Sequence, residues 1–412
     1  MPTDKLCEHT VRQAACDAYV YGAPLLEMAR MRHLYASGGR SLNQLHHRPG
    51  LVDHRARVVT TPNVDTLYSS TWIDTRNGPA VLHLPPAGER YVSVAILDMY
   101  SNNVAVLSGA RLAQAGTRLR IEGPGASPPA RGEDVVQLPT SCGWMIVRIL
   151  VADAHDDLPA AQAVQQGFAL EAPAVPAPLP ARGALNPDIS LFAELVGLLE
   201  ENPPPQPDGF IQTAMSRVLQ ALQDSAWTTA LQQGLAQARS LVEAPDPGAF
   251  VQGWDYPLAC LGDFGEDYLY RARIARSALA ALPVAEAMYM RARGDGAPGF
   301  FEGPGPFRLH LPAHLPVDGF WSLTLYEATP QGLFLVDNPL GRYLVNDRMP
   351  GLVREADGSL VIWIARSAPD AHLAANWLPA PPHGAFALYM RCYLPQPSLL
   401  DGQWRLPPVE AV

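Results

Sequence analysis

One pattern is written twice in this chain, and that repetition limits its fold more than any other feature. Residues 81–100 read VLHLPPAGERYVSVAILDMY, and residues 308–327 read RLHLPAHLPVDGFWSLTLYE. With Ser93 aligned to Ser322, the residues Val92, Val94, Ile96 and Asp98 match Trp321, Leu323, Leu325 and Glu327. Side chains alternate across a strand, so each copy sets three apolar residues and then an acid on one face. A second match follows in the same order. QLPTSCGWMIVRILV (137–151) resembles WLPAPPHGAFALYMRCYL (377–394), with Arg148 and Arg391 in corresponding places. Chance likeness between hairpins of a Pro- and Gly-rich chain is the plainer explanation. Two matches in one order, each with an ionised residue in register, favour two copies of one β unit.

Helical periodicity fills the space between and before the copies. TVRQAACDAYVYGAPLLEMARMRHLY has apolar residues at helical spacing, so residues 4–36 are expected to be a helix, with Pro24 a kink or a boundary. SLFAELVGLLEEN, GFIQTAMSRVLQALQDSA, TALQQGLAQARSLVEA and DYLYRARIARSALAALPVAEAMYMRAR carry the same period. Pro-rich breaks at 171–183 and 202–209 separate them, the first being the better linker. The expected class is α+β multidomain: two duplicated antiparallel β-sandwich domains, jelly-roll-like, with an N-terminal helix and a central helical portion. The expected division is 1–40 N-terminal helical segment, 41–155 first sandwich, 156–300 helical portion and 301–412 second sandwich.

Composition narrows the function. The net charge is −10 and no basic stripe follows any expected element, so nucleic acid is not expected as a partner. No apolar run reaches the roughly 18 residues that span a bilayer, so no membrane association is expected. MPTDKLCEHTVRQ has no basic region followed by an apolar one, so no secretion signal is expected. The five cysteines are scattered and form no C-x-x-C pair, which fits a reducing cytoplasm. There is no G-x-S-x-G, no Walker A motif and no G-x-G-x-x-G opening a helix. His310 and His314 are four apart, but Pro312 argues against the helix that would bring them onto one metal. No metal and no cofactor are expected.

Function is better sought in what one copy has and the other lacks. Asp98 and Glu327 end apolar strand faces, and each must be solvated or paired. The economical expectation pairs Asp98 with Arg148 and Glu327 with Arg391, as equivalent bridges. Only the first half contains TTPNVDTLYSSTW (60–72) and DMYSNN (98–103). Asn63, Asp65, Tyr68, Tyr100, Asn102 and Asn103 are thereby close in sequence and able to orient a polar ligand through several hydrogen bonds. Turn chemistry accounts for the same residues, since Asn and Asp bond their own backbone, and both readings stand. His46, shortly upstream, could supply a proton near neutral pH or be a surface loop residue. Tyr21, Trp321 and Arg271 are further ligand contacts or packing residues; Arg271 could grip a carboxylate or pair with Asp267.

The stretches DAYVYGAPLLEM, NQLHHR, TTPNVDTLYSSTWID, GPAVLHLP, RYVSVAILDMYSNN, FGEDYLYRARIA, EAMY, FWSLTLYE, LVDNPLGRY, NWLPAP and FALYMRCYLP resemble a two-part bacterial family. It is catalogued as domains of unknown function 1254 (N-terminal) and 1214 (C-terminal), and the likeness covers nearly the whole chain. Val64 stands where that family usually has a second Asn. The resemblance implies β-sandwich domains with a helical portion, and no settled activity. The functional expectation is a small-molecule enzyme using acid–base chemistry, a lyase, isomerase, cyclase or hydrolase, with Asp65, Tyr68, His46 and Asp98 catalytic. The alternatives are a non-catalytic protein binding a sugar-like or aromatic ligand, and a structural module. A homo-oligomer is compatible with either.

Overall fold

The computed structural model describes residues 6–57, 60–109, 112, 117–126, 134–154, 156–175, 188–204, 209–245, 248–296, 299–302 and 305–412. Most of the expected linker at 171–183, and residues 205–208 of the second Pro-rich break, lie outside the described residues.

The chain opens with α1 (Glu8–Ser37), which runs through Pro24 without ending there. Nine strands follow: β1 (His46–His47), β2 (Thr66–Asp74), β3 (Ala80–Leu84), β4 (Val92–Asp98), β5 (Asn103–Ser108), β6 (Thr117–Glu122), β7 (Val135–Gln137), β8 (Cys142–Leu150) and, after α2 (Leu158–Gln166), β9 (Ala169–Glu171). They form two sheets, ordered β1-β2-β8-β4-β5 and β7-β6-β3-β9. The helices α3 (Leu191–Glu201), α4 (Gly209–Ala221) and α5 (Thr228–Glu243) come next, then β10 (Phe250–Val251), β11 (Trp254–Asp255) and α6 (Tyr268–Ser277). The second half holds β12 (Ala287–Ala292), β13 (Phe307–Leu311), β14 (Trp321–Thr329), β15 (Gly332–Leu335), β16 (Leu344–Asn346), β17 (Leu360–Ala365), β18 (Trp377–Pro379), β19 (Phe386–Tyr393), α7 (Pro397–Leu400) and β20 (Val409–Ala411). Its sheets are ordered β10-β11-β12-β19-β14-β15, with β16 also on β14, and β18-β17-β13-β20.

The strand orders correspond position by position: β1-β2-β8-β4-β5 with β11-β12-β19-β14-β15, and β7-β6-β3-β9 with β18-β17-β13-β20. Among the described residues all strand pairings are antiparallel except β6–β7 and β17–β18, which run parallel and occupy corresponding places. Ser93 lies directly opposite Arg148, and Ser322 directly opposite Arg391, so the sequence alignment and the strand register agree.

Alternation explains the layers. In β3 and β13 every second residue is buried, which is the period of a half-covered strand. Leu82, Val92, Val94, Ile96 and Val147 join one apolar core shared by both sheets of the first half. Leu309, Leu323, Leu325, Ile362 and Met390 do the same in the second. β4 is buried on both faces, because Ala95 and Leu97 meet Trp72, Ile146 and the residues of α1 on the far side. Gly234 of α5 lets that helix approach α1 closely, where a Cβ would overlap the Arg12 carbonyl.

Two expectations need correction. Strands β9 to β12 lie within 156–300, which was expected to be helical. The run DYLYRARIARSALAALPVAEAMYMRAR is helix only to Ser277. Ala280 has φ 64°, Pro283 follows, and the chain re-enters as a strand at Ala287. The bridges Asp98–Arg148 and Glu327–Arg391 do not form. Asp98 lies opposite Gly143, five residues from Arg148, and Glu327 pairs with Arg57 at 2.6 Å.

Candidate functional site

The face of the first half's larger sheet that looks away from its core changes character along its length. Trp72, Trp144, Ala95 and Leu97 occupy the end packed in the core beside α1. Toward the start of β2 the same face carries Thr66, Tyr68, Arg148 and Ser93. Tyr68 lies opposite Arg148, and Arg148 opposite Ser93, so the three form a row across β2, β8 and β4. The second half repeats the row as Tyr289, Arg391 and Ser322 across β12, β19 and β14. The acid–x–x–tyrosine run Asp65–Tyr68 corresponds to Glu286–Tyr289.

The two rows meet. Each acid reaches into the other half. Ser322 donates to Asp65 at 2.6 Å, while Tyr91 and Ser108 donate to Glu286 at 2.6 and 2.8 Å. Asn63 donates to the Tyr393 phenol at 2.7 Å and accepts from the Asp65 backbone N–H at 2.7 Å. Arg391 donates to Thr324 and Tyr326 and, across the divide, to the Thr61 carbonyl. Tyr326 donates to the Pro62 carbonyl. Arg348 spans Asp65 at 3.2 Å and Asp347 at 2.6 Å. Asp347 and Trp321 line a neighbouring cavity of about 440 Å³.

Electrostatics follow from burial. Both row arginines are buried, and among the described residues neither contacts a carboxylate. Arg148 donates to the Ala280 carbonyl at 2.9 Å and lies over the Tyr68 ring, 5.6 Å from its centroid. Desolvation works against its charge, yet the guanidinium stays protonated, its pKa held above the ordinary arginine value beside the oxygens of Tyr68 and the Ala280 carbonyl. Desolvation pushes the phenols up: Tyr289, Tyr91 and Tyr393 lie above the ordinary tyrosine range, and Tyr326 is raised to about 12. The layer is therefore protonated phenols, two guanidiniums without ion pairs, and carboxylates held by hydroxyls and Arg348.

The remaining expected residues separate into a second cluster and two outliers. Tyr21, Tyr100 and Tyr268 enclose Arg271, whose guanidinium carbon lies 5.1, 5.5 and 5.0 Å from their centroids. Asp98 closes a turn beside them, accepting from the backbone N–H groups of Tyr100 and Asn102 and from the Asn102 amide, all at 2.9 Å. Burial pushes the Asp98 carboxyl up, opposed by those hydrogen bonds and by Arg271. Tyr100 donates to the Asn202 carbonyl, and Asn103 to the Gly262 and Ala281 carbonyls. This cluster lies under α1 and α6; Asp98, Tyr100 and the Asn103 amide nitrogen bond backbone, while among the described residues Nε and Nη2 of the buried Arg271 and Oδ1 of Asn103 have no hydrogen-bond partner. His46 sits on the edge strand opposite Ser70, against the Ser41 carbonyl and the Tyr35 ring. Trp321 turns into the second half's core, because Ser322, Thr324 and Tyr326 take the face toward Asp65. Among the described residues no group of three or more His, Cys, Asp or Glu side chains is placed to hold a metal ion.

Sequence reasoning missed Tyr289, Glu286, Tyr91 and Tyr393. The available signal was the match of DTLY (65–68) with EAMY (286–289), hidden because the second run reads as helix in an Ala- and Met-rich context.

Each half contains a match to one sequence family. Protein of unknown function (DUF1254) matches residues 42–172, ending just past β9, and Protein of unknown function (DUF1214) matches 286–397, beginning at Glu286. The chain belongs to this two-part family. The DUF1254 half supplies Asn63, Asp65, Tyr68 and Arg148 to the layer, and the DUF1214 half supplies Glu286, Tyr289, Ser322, Arg391 and Tyr393. The crystal structure of the VPA0106 protein from Vibrio parahaemolyticus is similar over 98% of this chain and 100% of its own, with TM-score 0.72 and 18% identity. A putative uncharacterized protein from Burkholderia cenocepacia is similar over 98% and 94%, with TM-score 0.50 and 15% identity. At such identities the likeness is one of fold. No curated protein matches the sequence.

Proposed function

We propose that this chain is a small-molecule enzyme using acid–base chemistry, and that its site is the polar layer between its DUF1254 and DUF1214 halves. The observation that carries the reading is the meeting of two corresponding Tyr–Arg–Ser rows around Asp65, with both buried guanidiniums free of carboxylate contact. Burying a charge without an ion pair costs stability, and functional sites are where proteins tolerate that cost. Asp65 is the proton acceptor, with Ser322 and Arg348 fixing its orientation. Tyr68 and Arg148 stabilise negative charge that develops on the substrate. Lyase, isomerase, cyclase and hydrolase chemistry each use this set. We also read the two halves as duplicated β-sandwiches, a view supported by their matching strand orders. The parallel pairs β6–β7 and β17–β18 set them apart from a wholly antiparallel jelly roll. Five unpaired cysteines fit a reducing, cytoplasmic setting.

A second reading, a binding protein without turnover, draws on one observation: both Asp65 oxygens already accept hydrogen bonds. Incubating the protein with a small-molecule extract and following masses over time separates the two. Turnover by the native chain and none by Tyr68→Phe, at equal melting temperature, supports the enzyme. A ligand retained and recovered unchanged supports the binding protein.

A further inference from the structure

Arg271 lies on α6 at 4% exposure, and three tyrosine rings surround its guanidinium. Its terminal carbon is 5.1, 5.5 and 5.0 Å from the centroids of Tyr21, Tyr100 and Tyr268. The rings come from α1, from the turn after β4, and from α6 itself, three residues before Arg271. They brace one another, Tyr21 meeting Tyr100 edge-on at 5.6 Å and Tyr268 at 5.0 Å. Aromatic faces stabilise a guanidinium from above and below its plane. They offer no acceptor within that plane, where the N–H groups point.

One edge of the plane, Nε and Nη2, has no hydrogen-bond partner among the described residues. These are the two parallel donors that an arginine sets against a carboxylate. The molecule uses the same edge elsewhere: Nε and Nη2 of Arg76 meet Asp74, and those of Arg293 meet Asp255. Those arginines are partly exposed, whereas the Arg271 edge is buried. The acids around Arg271 are engaged. Asp267 caps α6, accepting from the Tyr270 N–H at 3.0 Å, and Asp98 accepts from its own turn. A buried charged donor without an acceptor is unfavourable, and native folds keep such groups few.

We propose that the Nε–Nη2 edge of Arg271 binds the carboxylate of a small organic acid, in a cage formed by Tyr21, Tyr100 and Tyr268. This site is separate from the polar layer; it goes beyond the reading of that layer and does not rest on it. The acid binds here as a stabilising ion, and the polar layer remains the place of reaction. Two parallel N–H groups match the two oxygens of a carboxylate, and one guanidinium balances one negative charge. A phosphate dianion would leave charge unbalanced beside Asp98, within a wall of aromatic rings. Tyr268 marks the way in, because it is half-buried and stacks on Phe210, which is 48% exposed.

The test is thermal denaturation of the full chain against acetate, formate and inorganic phosphate, at constant ionic strength with chloride as control. Acetate and formate are expected to raise the melting temperature saturably. Arg271→Lys keeps the positive charge and loses the paired donors, so it should need about tenfold more acetate or more for the same shift. Tyr268→Ala strips one wall of the cage and should need severalfold more. If Arg271→Lys does not fold, Tyr268→Ala carries the test. Tyr68→Phe, in the polar layer, should keep the native acetate response. Variants that melt lower yet respond to the same acetate concentrations as the native chain give Arg271 and Tyr268 a packing role only, and overturn the inference. The inference is equally overturned by the absence of any acetate shift, by a larger saturable shift with phosphate, or by a response lost in Tyr68→Phe and kept in Arg271→Lys.

Discussion

Asp65 and Asp98 are both buried carboxylates beside Asn residues, and their surroundings give them different work. Asp98 accepts only from its own turn, where Ser101 takes a positive φ of 65° and Asn102 folds back over the carboxylate. Asp65 accepts from Ser322 and Arg348, 257 and 283 residues away in sequence. Replacing Asp65 with Asn removes the charge that Arg348 faces. It should lower stability by about 1.5–3 kcal/mol in urea denaturation, the range for hydrogen bonds to charged groups. Turn chemistry at Asp98 and Asn102 could be read from the sequence, because Asx turns are local. The partners of Asp65 could not, since nothing local selects a serine from the other half. The same limit explains the misassigned bridges: Asp98 and Arg148 sit on paired strands, but five positions out of register.

At the scale of elements, strand register carries the site. A one-residue slip of β8 would turn Arg148 into the apolar core and Val147 outward, so the packing of Val147, Ile149 and Met145 fixes the row as firmly as any hydrogen bond. The period-two pattern and the Ser–Arg alignment made β4, β8, β14 and β19 legible in sequence. β12 was not, because AMYMRA lacks the β-branched residues that mark a strand and follows a true helix. The helix α1 is structural support. Leu25 and Met28 are fully buried among Leu195, Val218 and Leu231 in one core with Trp72 and Tyr100. Leu25→Ala should cost about 2–5 kcal/mol, read as a lower denaturation midpoint, through lost burial and the cavity left behind.

Across the whole molecule, the two halves complete one another: Asp65 serves Ser322, Glu286 serves Tyr91 and Ser108, and Asn63 meets Tyr393. The phenols of this interface set its behaviour in alkali. Burial raises Tyr91, Tyr289 and Tyr393, and lifts Tyr326 to about 12, against about 10 in an unfolded chain. Above about pH 10 the folded chain holds protons that the unfolded chain releases, so this stability is present below that pH and lost as the pH rises through the folded values. Phenolate absorbance should lag that of the denatured protein between about pH 10 and 12, and the melting temperature should fall over the same interval. The central claim is that the layer between the halves, and not the Tyr21–Tyr100–Arg271 cluster, is where a small molecule is handled. The direct measurement compares native chain, Tyr68→Phe and Tyr21→Phe in one extract, with masses followed over time and melting temperatures matched. The account predicts that Tyr68→Phe alone loses the reaction or the retained ligand; loss confined to Tyr21→Phe would contradict it.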